Sequence, residues 1–193
     1  MKFKMMKAVF AGLVLTVSGL ANAGLIEFIY TGTGTGSVGS TNFSDTAFTI
    51  VQRANIEDIT SCRSDCIYVD AFSTSILLDN IGLFDFITGT RTFSAGNKVI
   101  GLSHSGLAGP NLFSSFVVGG FDLASNFKKA SGLFSMNLWS QTPSVNTTNG
   151  LLTFNSGTAN GTFEARLAGI PEPSTLAILA LGFIGLCARR FKK

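Results

Sequence analysis

Histidine is almost absent from this sequence: 193 residues contain one, His104. Tryptophan also occurs once, cysteine three times and proline four times, and charged residues make up only 13% of the chain. Each scarcity closes off a class. One His cannot supply a usual zinc ligand set, and a Ser-His-Asp triad would have to use His104 itself. Three Cys are too few for a disulfide-dense miniprotein. A formal charge of +3 is too small a basic excess for a nucleic-acid binder, and the pair Lys128-Lys129 is too little for a polyanion groove. With 18 Phe and 46% hydrophobic residues, the composition also excludes a disordered tail.

What is present is unevenly distributed. At the N-terminus Lys2, Lys4 and Lys7 precede an apolar run from Ala8 to Leu20, followed by Ala21-Asn22-Ala23. A positive start, a short apolar stretch and small residues at the −3 and −1 positions make a secretory signal peptide, residues 1–23, cut between Ala23 and Gly24. At the C-terminus Pro171-Glu172-Pro173-Ser174-Thr175 leads into an apolar run that ends at Ala188, then Arg189-Arg190-Phe191-Lys192-Lys193. A helix over 174–188 reaches about 22 Å at ~1.5 Å per residue, short of the ~30 Å hydrocarbon core, so it is a marginal span. Snorkelling of Arg189 and Arg190 lets it cross, and the basic tail, Arg189, Arg190, Lys192 and Lys193, then stays on the cytoplasmic side. Cys187, inside that run, reads as a small residue of a membrane helix.

The order Pro171-Glu172-Pro173, Gly-containing apolar helix and closing basic cluster resembles the PEP-CTERM sorting signal of exported bacterial proteins. The resemblance covers residues 171–193 and implies recognition by an exosortase, a membrane-embedded protease-transpeptidase, with cleavage near the Pro-Glu-Pro motif. The body is then released, or transferred to the envelope or the extracellular polysaccharide matrix. The Thr-Gly alternation between Tyr30 and Ser40 resembles, more weakly, the start of other exported proteins with this signal.

Between these ends, residues 24–170 suffice for one domain with a proper core. Short β-prone runs fill it: Leu25 to Tyr30, Ala47 to Val51, Ile67 to Leu78, Phe84 to Ile87, Val99 to Leu102, Leu112 to Val118, Leu133 to Trp139, Leu151 to Phe154 and Thr162 to Leu167. Asn149-Gly150 and Asn160-Gly161 read as turns. The pattern predicts an all-β, antiparallel sandwich or jelly roll, with one short helix over 122–130 capped by Asp122. Most Phe side chains are expected in the core; Tyr30, Tyr68 and Trp139 are the better candidates for an exposed contact.

Several motifs tempt without completing a site. Gly34-Thr35-Gly36-Ser37-Val38-Gly39 fits G-x-G-x-x-G, but no amphipathic helix comes after it, so a Gly-rich strand or hairpin is expected rather than a dinucleotide site. Gly101-Leu102-Ser103-His104-Ser105-Gly106 lacks the last Gly of G-x-S-x-G, and neighbours on a strand point to opposite faces. Glu27, Glu57 and Glu164 offer carboxylates without a pairing for glycoside hydrolysis. Asp79-Asn80 and Asp85 lack calcium-loop spacing and read as turn residues. Asn42, Asn146 and Asn160 open N-x-S/T triplets that a Ser/Thr-rich composition produces by chance. Cys62 and Cys66, in a polar stretch of an exported chain, are expected to pair in a disulfide.

The expected function is therefore a non-enzymatic, exported surface or matrix protein. Signal peptidase and an exosortase are its processing partners, the inner membrane holds it only transiently, and no cofactor, metal or nucleic acid is expected; the resemblance implies association with exopolysaccharide. The alternative is a secreted carbohydrate-binding module or carbohydrate-active enzyme on the same β-sandwich. Segment 24–173 holds seven basic against eleven acidic residues, a net charge of −4, so the chain's positive charge belongs to its ends.

Overall fold

The computed structural model describes residues 24–63, 65–96, 98–106, 111–116, 120–135, 145–155 and 158–168, all within one compact unit, Gly24–Ala168. The signal peptide and the segment from residue 169 onward, including the expected membrane helix, lie outside these residues. Among the described residues no helix is long and apolar enough to cross a membrane.

The described residues form thirteen strands: β1 Leu25–Val38, β2 Thr41–Asn55, β3 Thr60–Arg63, β4 Cys66–Asp70, β5 Ser73–Leu78, β6 Gly82–Asp85, β7 Thr90–Ala95, β8 Val99–His104, β9 Asn111–Phe116, β10 Phe127–Ser135, β11 Val145–Thr147, β12 Gly150–Phe154 and β13 Thr158–Ala168. A single 3-10 turn, Ile56–Asp58, comes directly after β2. All pairings are antiparallel, in the order β3-β4-β7-β8-β9-β10-β13-β1-β2-β5-β6. Among the described residues, β9 and β10 are linked through Ser114 and Ser135. The ladder folds over on itself, so that inner side chains of β1 and β2 meet those of β7 and β9: the all-β sandwich expected from the strand pattern.

β1 organises the fold. It pairs along its length with β2, and on its other edge with β13 from Leu25↔Ala168 to Gly32↔Gly161, then with β12 from Gly36 to Val38. β11 extends β12, and its Thr147 bridges to Phe86 just past β6, which closes a ring of strands β1-β2-β5-β6-β11-β12.

The core is aromatic, as expected. Phe28, Phe48, Phe113, Phe154 and Phe163 are all buried, and each such ring contributes roughly 1.5–3 kcal/mol. Phe48 stands 5.2 Å from Phe154 and 5.5 Å from Phe113 between ring centroids. Phe72 and Phe116, in contrast, are exposed. Set into this core is a polar cluster joining the layers. Gln52 Nε2 donates to Thr90 Oγ1 (2.7 Å), and Thr92 Oγ1 donates to Gln52 Oε1 (2.6 Å). The Tyr30 hydroxyl reaches Thr92 Oγ1 (2.9 Å) and the Gly101 carbonyl (3.2 Å), while Thr74 and Thr90 share a hydroxyl bond of 2.7 Å. Every member is buried, and partners at these distances offset the cost of removing them from water.

Four expectations need correction. Residues 122–130 form no helix: Asp122 Oδ1 accepts from the Ala124 amide (2.9 Å) and the Ser125 hydroxyl (2.8 Å), closing a local turn. Leu123 then takes φ +60°, and the chain continues as β10, placing Phe127 4.8 Å from Phe121. Second, Asn160-Gly161 is no turn but part of β13, where Gly161 pairs with Gly32 on one side and Gly132 on the other. Third, the run Ile67 to Leu78 divides into β4 and β5 in different layers. Ala71 N still donates to Thr90 O, whereas Phe72 N already donates to Arg53 O. Last, Tyr30 is no exposed contact, being only 1% accessible.

Candidate functional site

The Thr-Gly segment of β1 builds the most distinctive surface of the domain. Strand alternation sends Thr31, Thr33, Thr35 and Ser37 outward and Gly32, Gly34 and Gly36 inward. The glycines are needed: a Cβ on Gly32 would lie 2.9 Å from Phe48 Cζ, and one on Gly36 would collide with the Thr153 carbonyl. Gly39, at φ +56°, forms the two-residue turn to β2 with Ser40. The G-x-G-x-x-G motif is thus a hairpin, as its surroundings suggested.

A bulge gives this hairpin its shape. Between Gly34↔Thr46 and Gly36↔Phe43, Thr35 of β1 faces two residues of β2, Ser44 and Asp45. Asp45 adopts φ +47° and its amide donates to Thr35 Oγ1 (3.0 Å). Beside the bulge lies a groove of about 410 Å³, lined by Thr35, Gly36, Ser37, Asn42, Phe43, Ser44, Thr153 and Asn155. Its lining carries hydroxyl and amide groups and no ionisable side chain. Ser37 Oγ and Thr153 Oγ1 bond at 2.9 Å across β1 and β12, and the Asn155 main-chain N–H donates to Thr35 O (2.8 Å). Phe43 is the apolar floor, held by an edge contact to Phe154 at 5.3 Å. Such a surface suits an uncharged, hydrogen-bonding ligand. The motif was visible in the sequence, but the bulge and the approach of β12 were not.

The other end of the same face is charged. Arg53 Nε donates to Glu27 Oε1 (2.8 Å); Arg166 Nε and Nη2 donate to the two carboxylate oxygens of Glu164 (2.7 and 2.9 Å). The Arg166 bond holds the Glu164 carboxyl below the ordinary range, opposite to what a general acid requires. Glu27 and Glu164 sit on adjacent strands of an open sheet face, each engaged by an arginine.

Elsewhere, Cys62 and Cys66 form a disulfide in the β3–β4 hairpin, Cα atoms 5.3 Å apart. Gly24, on the carboxyl side of the expected signal cleavage, is the first described residue, and its carbonyl accepts from Ile56 N. Ser103 and His104 are consecutive in β8, with side chains on opposite faces. Asp79 and Asn80 form the β5–β6 turn, Asn80 at φ +58°. Tyr68 lies under the Arg91 guanidinium, 4.2 Å from ring centroid to Cζ, and Arg91 also bonds Asp70 (3.1 Å). Among the described residues no three His, Cys, Asp or Glu side chains gather as a metal site would require. Ala21, Ala23, Trp139, Pro171, Glu172, Pro173, Cys187, Arg189, Arg190, Lys192 and Lys193 lie outside the described residues.

No curated protein and no solved structure matches the chain. A family description does match its C-terminus, over residues that directly succeed β13 and include the Pro-Glu-Pro motif, the apolar run and Arg189-Arg190. The chain carries a PEP-CTERM protein-sorting motif at residues 169–191, the mark of an exported, exosortase-sorted protein.

Proposed function

We propose that this chain is a non-enzymatic surface or matrix protein. Its body, residues 24–170, is exported behind a signal peptide, held briefly by the helix after Pro173, and freed or transferred when an exosortase acts near Pro171-Glu172-Pro173. In the extracellular space the domain associates with exopolysaccharide. The observation that carries this reading is the sorting motif at 169–191. The engaged, outward-facing Glu27 and Glu164 favour it over hydrolysis of glycosides.

The test is fractionation and intact-mass measurement in the producing host, for the natural protein and for the Pro171→Ala/Glu172→Ala/Pro173→Ala variant. The natural protein should lack residues 1–23 and the mass beyond about residue 173 and should appear in the surface or matrix fraction, whereas the variant should keep its C-terminus in the inner membrane. A full-length C-terminus in the inner membrane for both would sink the proposal.

A further inference from the structure

We infer that the groove beside the β1–β2 bulge is the place where this domain holds a neutral polysaccharide. The inference rests on the matrix association proposed above and gives that association an address.

The lining speaks for the class of ligand. Thr35, Ser37, Asn42, Ser44, Thr153 and Asn155 offer side chains that both donate and accept, as sugar hydroxyls do. Asn42, Ser44 and Asn155 are exposed, so their amides and hydroxyl are open to a ligand. Phe43 supplies an apolar floor, and Leu151, 45% exposed and two residues before Thr153 on the same face of β12, adds an apolar flank for the C–H faces of sugar rings. A phosphate or sulfate ligand would call for Lys or Arg, and none lines the groove. The nearest charge on β2 is Asp45, within the bulge itself, and the body carries a net negative charge, so acidic polymers are repelled.

The shape speaks for a polymer. Outward hydroxyls continue from the groove along β1 through Thr33 to Thr31, where Thr49 and Thr162 flank them on β2 and β13. Six residues of extended strand cover about 20 Å at ~3.3 Å each, room for several sugar units. The neutral strip stops before the ion pairs Glu27–Arg53 and Glu164–Arg166 at the other end of the face.

The experiment uses the full chain in mild detergent, run through native gels containing dextran, laminarin, galactomannan, the neutral fraction of the host's matrix polysaccharide or, separately, alginate. At least one neutral polymer should retard the protein. The Asn42→Ala/Asn155→Ala variant should bind it at least tenfold more weakly with an unchanged thermal midpoint, and the Leu83→Ser variant, on the exposed β6 strand, should bind as the natural protein does. Should the double variant unfold, hydrogen exchange of the natural protein decides instead: the retarding polymer should protect segments 35–44 and 151–155. Retardation by no neutral polymer, by alginate alone, or equally in the folded double variant overturns the inference, as does protection confined to other segments. The two readings fail separately. A double variant that still sediments with the host matrix removes the groove but leaves the association; a natural protein that never sediments with it removes the association itself.

Discussion

The ring of Phe48 lies across the bare Cα of Gly32, so close that a Cβ there would stand 2.9 Å from Cζ. Phe48 cannot easily retreat, because Phe113 and Phe154 hold it from the far side. Gly32→Ala should therefore destabilise the domain by about 1–3 kcal/mol, the usual cost of overpacking a well-filled core. Urea denaturation of the two proteins measures it, and an unchanged midpoint would contradict the packing described.

Gln52 gives a second prediction. Replacing it with Leu preserves bulk but removes the amide that accepts from Thr92 and donates to Thr90. Thr90 and Thr92 keep Thr74 and Tyr30 as partners, so the cost is that of two buried hydrogen bonds, about 0.5–1.5 kcal/mol each. The expected loss exceeds that of Tyr30→Phe, which leaves the Gln52 bonds in place and only removes a hydroxyl from Thr92 and Gly101. Comparison of the two denaturation curves checks the order.

The turn at Asp122 makes stability depend on acid. Its carboxyl is held below its ordinary range, chiefly by the Ala124 amide and then by the Ser125 hydroxyl. A carboxylate whose folded value is depressed stabilises fully above its unfolded value, about 3.9, and loses that contribution as pH falls through the lower, folded value. Asp122→Ala should thus be less stable than the natural protein at pH 7, with the gap closing below about pH 4. Urea midpoints taken across that range give the answer; a gap that stays constant would refute the assignment.

The disulfide is expected to act locally. Closing a loop this short contributes about 2 kcal/mol by the chain-entropy account, and the loop belongs to the hairpin β3–β4 at the end of the ladder. Cys62→Ser/Cys66→Ser should loosen hydrogen exchange in β3 and β4 while leaving β1 and β13 protected. Equal loosening throughout would mean that the hairpin is integral to the core.

Where side chains alternate apolar and polar, as Phe48, Thr49 and Ile50 do in β2, the strand could be read from the chain directly, whereas Val99 to Leu102 of β8 showed itself only as a β-prone run. β7 could not be read in either way. Its inward residues are Thr90, Thr92 and Ser94, and the two threonines are polar where they meet Gln52 and Tyr30, a partnership that exists only once the layers meet. β3 and β11, four and three residues long, are too short for periodicity to reveal. Asn160-Gly161 carries a turn's chemistry, yet Gly161 stands inside β13, paired with Gly32 on one side and Gly132 on the other. Asp122 has the chemistry of a helix cap but closes a local turn instead, because the burial of Phe121 and Leu123 leads the chain into a strand and not into the expected helix. The groove shows the same limit: Thr-Gly alternation announces a hydroxyl face, while Thr153 and Asn155 come from more than a hundred residues downstream.

The pairing of Leu25 with Ala168 sets a timetable. The second residue of the described domain and its last are neighbours, so the strand at the centre of the fold acquires one whole flank only when the final strand arrives. A chain that leaves the cell amino end first cannot finish its middle until its end has emerged. The sorting motif begins at the very next residue, 169, so on the proposed export route the last strand and the address emerge one directly after the other.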